Sequence, residues 1–105
     1  MSIPTDSNRE LLTVVATMRA KPGKEDELQA ALEALVEPTL AEDGCHTYAL
    51  HRGTTDPAEF AFYENWTSQG HLDAHLATPH IQKLLPLLPE LLDGELVIRS
   101  MRRVA

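Results

Sequence analysis

Hydrophobic residues change their spacing repeatedly along this chain, and the order of those changes limits the folds open to it. From Leu11 to Ala20 the spacing is two, with Leu12, Val14, Ala16 and Met18 on one side and Thr13, Val15, Thr17 and Arg19 on the other. Such alternation, rich in β-branched residues, predicts a strand with one covered face. Pro22-Gly23 then punctuates the chain. Leu28, Leu32, Leu35, Val36 and Leu40 recur at helical spacing, which predicts one amphipathic helix over residues 24–42. Glu25, Asp26 and Glu27 fall in its first turn, where acidic groups favour the helix dipole. Pro38 is expected to bend or loosen the last turn, and Gly44 to end it.

The alternation then returns. Cys45 to Gly53 predicts a second strand, with Tyr48 and Leu50 on one face and Thr47 and Ala49 on the other. Thr54-Thr55-Asp56-Pro57 is turn chemistry, and Glu59 to Thr67 predicts a third strand with Phe60, Phe62, Glu64 and Trp66 on one face. The short loop between these two strands makes them an antiparallel hairpin. Ser68 reads as the N-cap of a short helix over 69–77, and Thr78-Pro79 as the start of another. Pro86 and Pro89 should make that helix irregular after Leu85, and residues 95–103 read as the last strand.

The resulting order, βαββαβ, predicts an α+β ferredoxin-like fold, a four-stranded antiparallel sheet with helices on one face. The other sheet face then carries Val15, Ala49 and Tyr63 without cover. A half-apolar open face in a small domain usually meets a partner, and a homodimer is the simplest closed solution.

A chain of 105 residues suits one domain, expected over residues 10–105 after a loose tail at residues 1–9. The net charge of −7 argues against nucleic acid, because phosphate binding needs clustered Lys and Arg. The polar opening Met1-Ser2-Ile3-Pro4 has no signal-peptide pattern, and no apolar run reaches the roughly 18 residues of a membrane span. With the single cysteine, Cys45, these features lead to the expectation of a cytoplasmic protein that does not enter membranes.

Several short patterns, in order, resemble the antibiotic biosynthesis monooxygenase family. They are Ala20-Lys21-Pro22-Gly23-Lys24, then Glu37-Pro38-Thr39, then Gly44-Cys45 with Tyr48 and Leu50. Phe62-Tyr63-Glu64-Asn65-Trp66 follows, and Leu72-Asp73-Ala74-His75-Leu76 leads into Thr78-Pro79-His80. The resemblance implies a dimeric α+β barrel in which two sheets pack back to back. It also implies a small-molecule pocket between the sheet and the later helices. Its members include cofactor-free oxygenases of phenols, quinols and anthrones, haem-degrading enzymes and isomerases, so the resemblance implies the fold more firmly than the reaction.

The expected catalytic residues are His75, Trp66 and Glu64, with Tyr48, Leu50, Phe62 and His80 as substrate contacts. His75 falls on the buried side of its helix, where an imidazole can act as general base. It reads equally as a structural histidine bonded to Glu64 or to a carbonyl. Trp66 reads either as an aromatic wall whose N–H donates to a substrate oxygen or as a core anchor. Glu64 reads as a buried acid or as the group that orients His75. Tyr48 reads as a donor into the pocket or as a core plug, and His80 as an anion contact in a helix's first turn or as a surface cap.

No metal and no cofactor is expected. His71 and His75 stand four apart on a helix but lack a third ligand at a recognisable spacing. The stretch Gln82-Lys83-Leu84-Leu85-Pro86-Leu87-Leu88 has none of the axial histidine that the haem-degrading branch carries. Asn65 points to the face opposite Trp66, unlike the tryptophan–asparagine pair of the anthrone oxygenases. The expected function is therefore a cofactor-independent monooxygenase of a small phenol, quinol or anthrone-like molecule. The alternatives are an isomerase or tautomerase on a small carbonyl compound, or a non-catalytic small-molecule-binding dimer.

Overall fold

The computed structural model describes residues 10–105, so the expected tail over 1–9 lies outside them. Four strands, β1 (Leu12–Arg19), β2 (Cys45–Arg52), β3 (Glu59–Trp66) and β4 (Val97–Arg102), form one sheet in the order β2-β3-β1-β4. Every neighbouring pair is antiparallel. This is the ferredoxin-like arrangement that the order of periodicities implies.

Alternation in the sequence becomes a two-sided sheet. Leu12, Val14, Ala16 and Met18 of β1 lie beside Trp66, Glu64, Phe62 and Phe60 of β3, and all eight are buried under the helices. On the other side Val15 pairs with Tyr63, and Tyr63 with Ala49. The three therefore share one row of the open face, which Arg99 extends across β4. Tyr63, Val97 and Met101 stay exposed there, so this face is partly apolar and uncovered.

The first helix departs from expectation. It is broken into α1 (Glu25–Glu33) and α2 (Val36–Leu40), with a turn at Ala34 and Leu35. Pro38 has no N–H to give to the carbonyl of Ala34, and its ring crowds that carbonyl, so the break falls one turn before the proline. The Leu35 N–H turns instead to Leu32, three residues back. Leu28 and Leu32 of α1 are fully buried, and each such side chain contributes about 1.5–3 kcal/mol.

In the second half α3 (Gln69–Leu76) starts at Ser68, whose hydroxyl accepts from the His71 N–H, as expected for an N-cap. The next helix is a chain of fragments: α4 (Pro79–Leu84), a 3₁₀ turn over Leu85–Leu87, and α5 (Leu88–Leu91). Pro86 and Pro89 account for the fragmentation, which begins one residue earlier than expected. Leu92 bridges back to Ala20 before β4 begins, two residues later than the spacing suggested. Among the described residues no helix is long and apolar enough to cross a membrane.

Candidate functional site

A cavity of about 220 Å³ lies between the covered face of the sheet and the helices. Val14, Ala16, Met18 and Phe62 form its floor, Leu32 and Leu35 one wall, and Leu72, Ile81, Leu84 and Leu88 the roof. Among the described residues its only polar lining side chains are Tyr48, Glu64 and His75. A mostly apolar space with a few converging polar groups is the usual form of a small-molecule site. A larger depression of about 530 Å³ lies at the other end of the sheet, around Arg19, Arg52, Glu59 and Asp93. Arg19 is already paired with Asp56 and Arg52 with Asp26, so that surface is a solvated charge network.

His75 is placed by the spacing of α3, where it and Leu72 form the buried side. Its ring is held between Trp66, at 4.7 Å between centroids, and Tyr48, at 5.4 Å edge-on. Tyr48 in turn stacks on Phe62 at 4.4 Å. Glu42, not Glu64, orients the ring: His75 Nδ1 lies 2.7 Å from Glu42 Oε2. That contact puts the proton on Nδ1 and leaves Nε2 as an acceptor with no protein partner among the described residues. Burial lowers the His75 pKa, and the Glu42 carboxylate opposes that shift, so the buried ring is favoured in its neutral form.

Of its two expected readings, Glu64 takes that of the buried acid and not that of the group orienting His75. It accepts the indole N–H of Trp66 at 2.9 Å, which ties up the donor that the sequence offered to a substrate. Trp66 itself is fully buried and does not line the cavity; its ring backs that of His75. Burial raises the Glu64 pKa to about 7, with the Trp66 bond acting against the rise. The Tyr48 hydroxyl is likewise pushed up by burial first and by the Glu64 charge second, so it remains a donor.

The other expected contacts separate. Phe62 lines the cavity, whereas Leu50 borders a shallow surface depression with Gln29 and Arg52. His80, second residue of α4, lies outside the cavity wall and places Nε2 2.8 Å from Glu42 Oε2. His71 turns away from His75: its Nδ1 lies 2.7 Å from the Ser68 hydroxyl, and its ring covers Gly44. Gly44 is required twice, by its φ of +80° and because a Cβ would fall 2.3 Å from the His71 ring. Cys45 is a half-buried thiol raised to about 11 by burial.

Glu42 is the residue that sequence reasoning missed. It stands in the turn after α2, its N–H bonded to Thr39 and its carbonyl to the Cys45 N–H. No periodicity marks such a position. The one available signal is an acidic residue in the turn between the Pro38 break and Gly44.

Comparison with known proteins agrees with this architecture. The family model described as antibiotic biosynthesis monooxygenase matches residues 11–86. The chain belongs to that family. An Escherichia coli protein named "Probable quinol monooxygenase" is 39% identical over 83 residues, covering 69% of this chain and 79% of that protein. A Synechocystis protein is 31% identical over 81 residues; these cover 77% of this chain and 55% of the relative, so the match spans little more than half of that protein. A crystal structure of a Pseudomonas aeruginosa protein superposes with a TM-score of 0.88 at 34% identity, covering 93% of this chain and 98% of the other.

Proposed function

We propose that the protein is a cofactor-independent monooxygenase of a small quinol or phenol, with His75 as the general base. The observation that carries this reading is His75 in the wall of an apolar cavity with its Nδ1 2.7 Å from Glu42 Oε2. Nε2 takes a proton from a substrate hydroxyl, and the anion left in a dry cavity is electron-rich enough to reduce dioxygen directly. One oxygen atom enters the ring, and the second leaves as water with the two hydrogens the substrate loses. A phenol thereby becomes a quinone, with no other reductant needed. Tyr48 donates to the substrate oxygen and Phe62 supports the ring.

Cavity size favours the smaller substrates. A dry cavity of about 150 Å³ takes benzene, so about 220 Å³ suits one ring, or two fused rings, better than a three-ring anthrone. The name of the Escherichia coli relative points the same way.

A second reading rests on Glu64, which keeps its proton up to about pH 7 in the same cavity that His75 lines. An acid and a base facing one carbonyl compound would suit a tautomerase. Oxygen uptake separates the two. With reduced quinols the wild-type protein should consume oxygen, and His75→Ala should lower turnover about 10²–10⁴-fold with binding little changed. Wild-type turnover by His75→Ala would rule out this base, and no uptake with any quinol would favour the tautomerase.

The same reading makes the working unit a cytoplasmic homodimer of one domain per chain, residues 10–105. A second copy covers the open face around Val15, Ala49 and Tyr63 and protects the exposed edge strand β4. Light scattering should give twice the 11.6 kDa chain mass; a monomer would remove the barrel from the account.

A further inference from the structure

The Glu42, His75 and His80 cluster is more than a support for the cavity wall. Three elements deliver it: the turn after α2, the buried side of α3, and the first turn of α4. The Thr78 hydroxyl donates to the His75 carbonyl at 2.7 Å and fixes the corner that brings the two histidines together. Both ring nitrogens aim at one oxygen, at 2.7 and 2.8 Å, and one donor atom from each residue lies within 4.8 Å of the others.

Two imidazoles and a carboxylate make a donor set suited to zinc and neighbouring first-row ions, and poorly suited to calcium or magnesium. Around a tetrahedral ion with bonds of about 2.0–2.2 Å, donor atoms stand roughly 3.3 Å apart. The observed nitrogen–oxygen spacings need to widen by about half an ångström to reach that geometry. The His75 side chain is 3% exposed, Glu42 14% and His80 22%, so the cluster is enclosed on one side and reachable past His80.

We propose that Glu42, His75 and His80 form a three-ligand site for a divalent first-row transition ion, with its fourth position open to water. His71, the partner that sequence spacing offered, takes no part. The site stands independently of the monooxygenase reading, but one consequence joins them. An ion on His75 Nδ1 leaves the single proton of the neutral ring on Nε2, so a cation-loaded chain has no base facing the cavity. Zinc should then inhibit turnover.

The test is calorimetric titration of the full-length chain, stripped with chelator, against zinc chloride, with cobalt(II) absorption as a report of tetrahedral coordination. One ion per chain is expected. His80→Ala and Glu42→Gln should each weaken binding by at least about tenfold, and His71→Ala should leave it unchanged. Circular dichroism would confirm that each variant folds; Glu42→Gln keeps the shape of the side chain, and His80 is partly exposed. Absence of binding to the wild type, or wild-type affinity in His80→Ala and Glu42→Gln, overturns the site. No arm of the titration needs a substrate, so the result is separate from the fate of the oxygenase assay.

Discussion

Glu64 and Glu42 bring the same functional group to one site, and the fold holds them in opposite ways. Glu64 stands on the interior strand β3, 4% exposed among apolar side chains, with the Trp66 indole as its donor at 2.9 Å. One neutral donor does not replace the water that a carboxylate loses on burial, so its proton is held to about pH 7. Glu42 stands in a turn, keeps some contact with solvent, and takes two imidazoles at 2.7 and 2.8 Å on one oxygen. Strand alternation delivers a side chain into the core whether or not partners await it. A turn lets the chain gather donors around a carboxylate from elements far apart in sequence.

The largest expected effect lies with Glu64 and depends on pH. Its folded pKa, about 7, exceeds the ordinary 4.5, so the native state binds the proton more tightly than the unfolded state does. The associated stability is complete below about pH 4.5 and is lost as pH rises through about 7. The loss is of the order of 3 kcal/mol. Glu64→Gln keeps an oxygen for the Trp66 N–H and carries no charge. Urea unfolding should therefore find the variant more stable than wild type near pH 8, with the gap closing towards pH 4.5. A gap that does not change with pH would mean that Glu64 is not the buried acid described here.

The two carboxylates also differ in how far the sequence reveals them. Phe60, Phe62, Glu64 and Trp66 alternate along one run, and the structure buries all four on one sheet face. Leu72 and His75 mark a helix side in the same direct way. Local period thus reports which face a residue occupies. It does not report what crosses that face to meet it, so the Glu64–Trp66 and Glu42–His75 bonds were not legible. The break at Ala34 and Leu35 hides Glu42 further, because Pro38 acts on the turn before it and ends the stripe on which positions beyond it could be assigned. His80 was legible as a first-turn residue, but its partner lies 38 positions away.

The same substitution at Glu42 should have the opposite sign and a smaller size. Glu42→Gln retains one carbonyl oxygen with two lone pairs, so both imidazole N–H groups keep an acceptor, but one that no longer carries a charge. His75 is enclosed and has no access to bulk water through Nδ1, so the oxygen should remain with it. His80 is 22% exposed and can turn its Nε2 to solvent, which limits the penalty. What is lost is the charge assistance of both hydrogen bonds, about 1–2 kcal/mol in total. Urea denaturation near pH 8 should show the midpoint falling for Glu42→Gln while it rises for Glu64→Gln. Adding His80→Ala tests the source of the loss: once His80 is gone, only one charge-assisted bond is left to weaken, and the cost of Glu42→Gln should shrink. An unchanged cost in that background would place the whole effect on His75. A gain in stability from Glu42→Gln alone would mean that the two imidazoles do not offset the desolvation of Glu42, and the contrast between the two carboxylates would be lost.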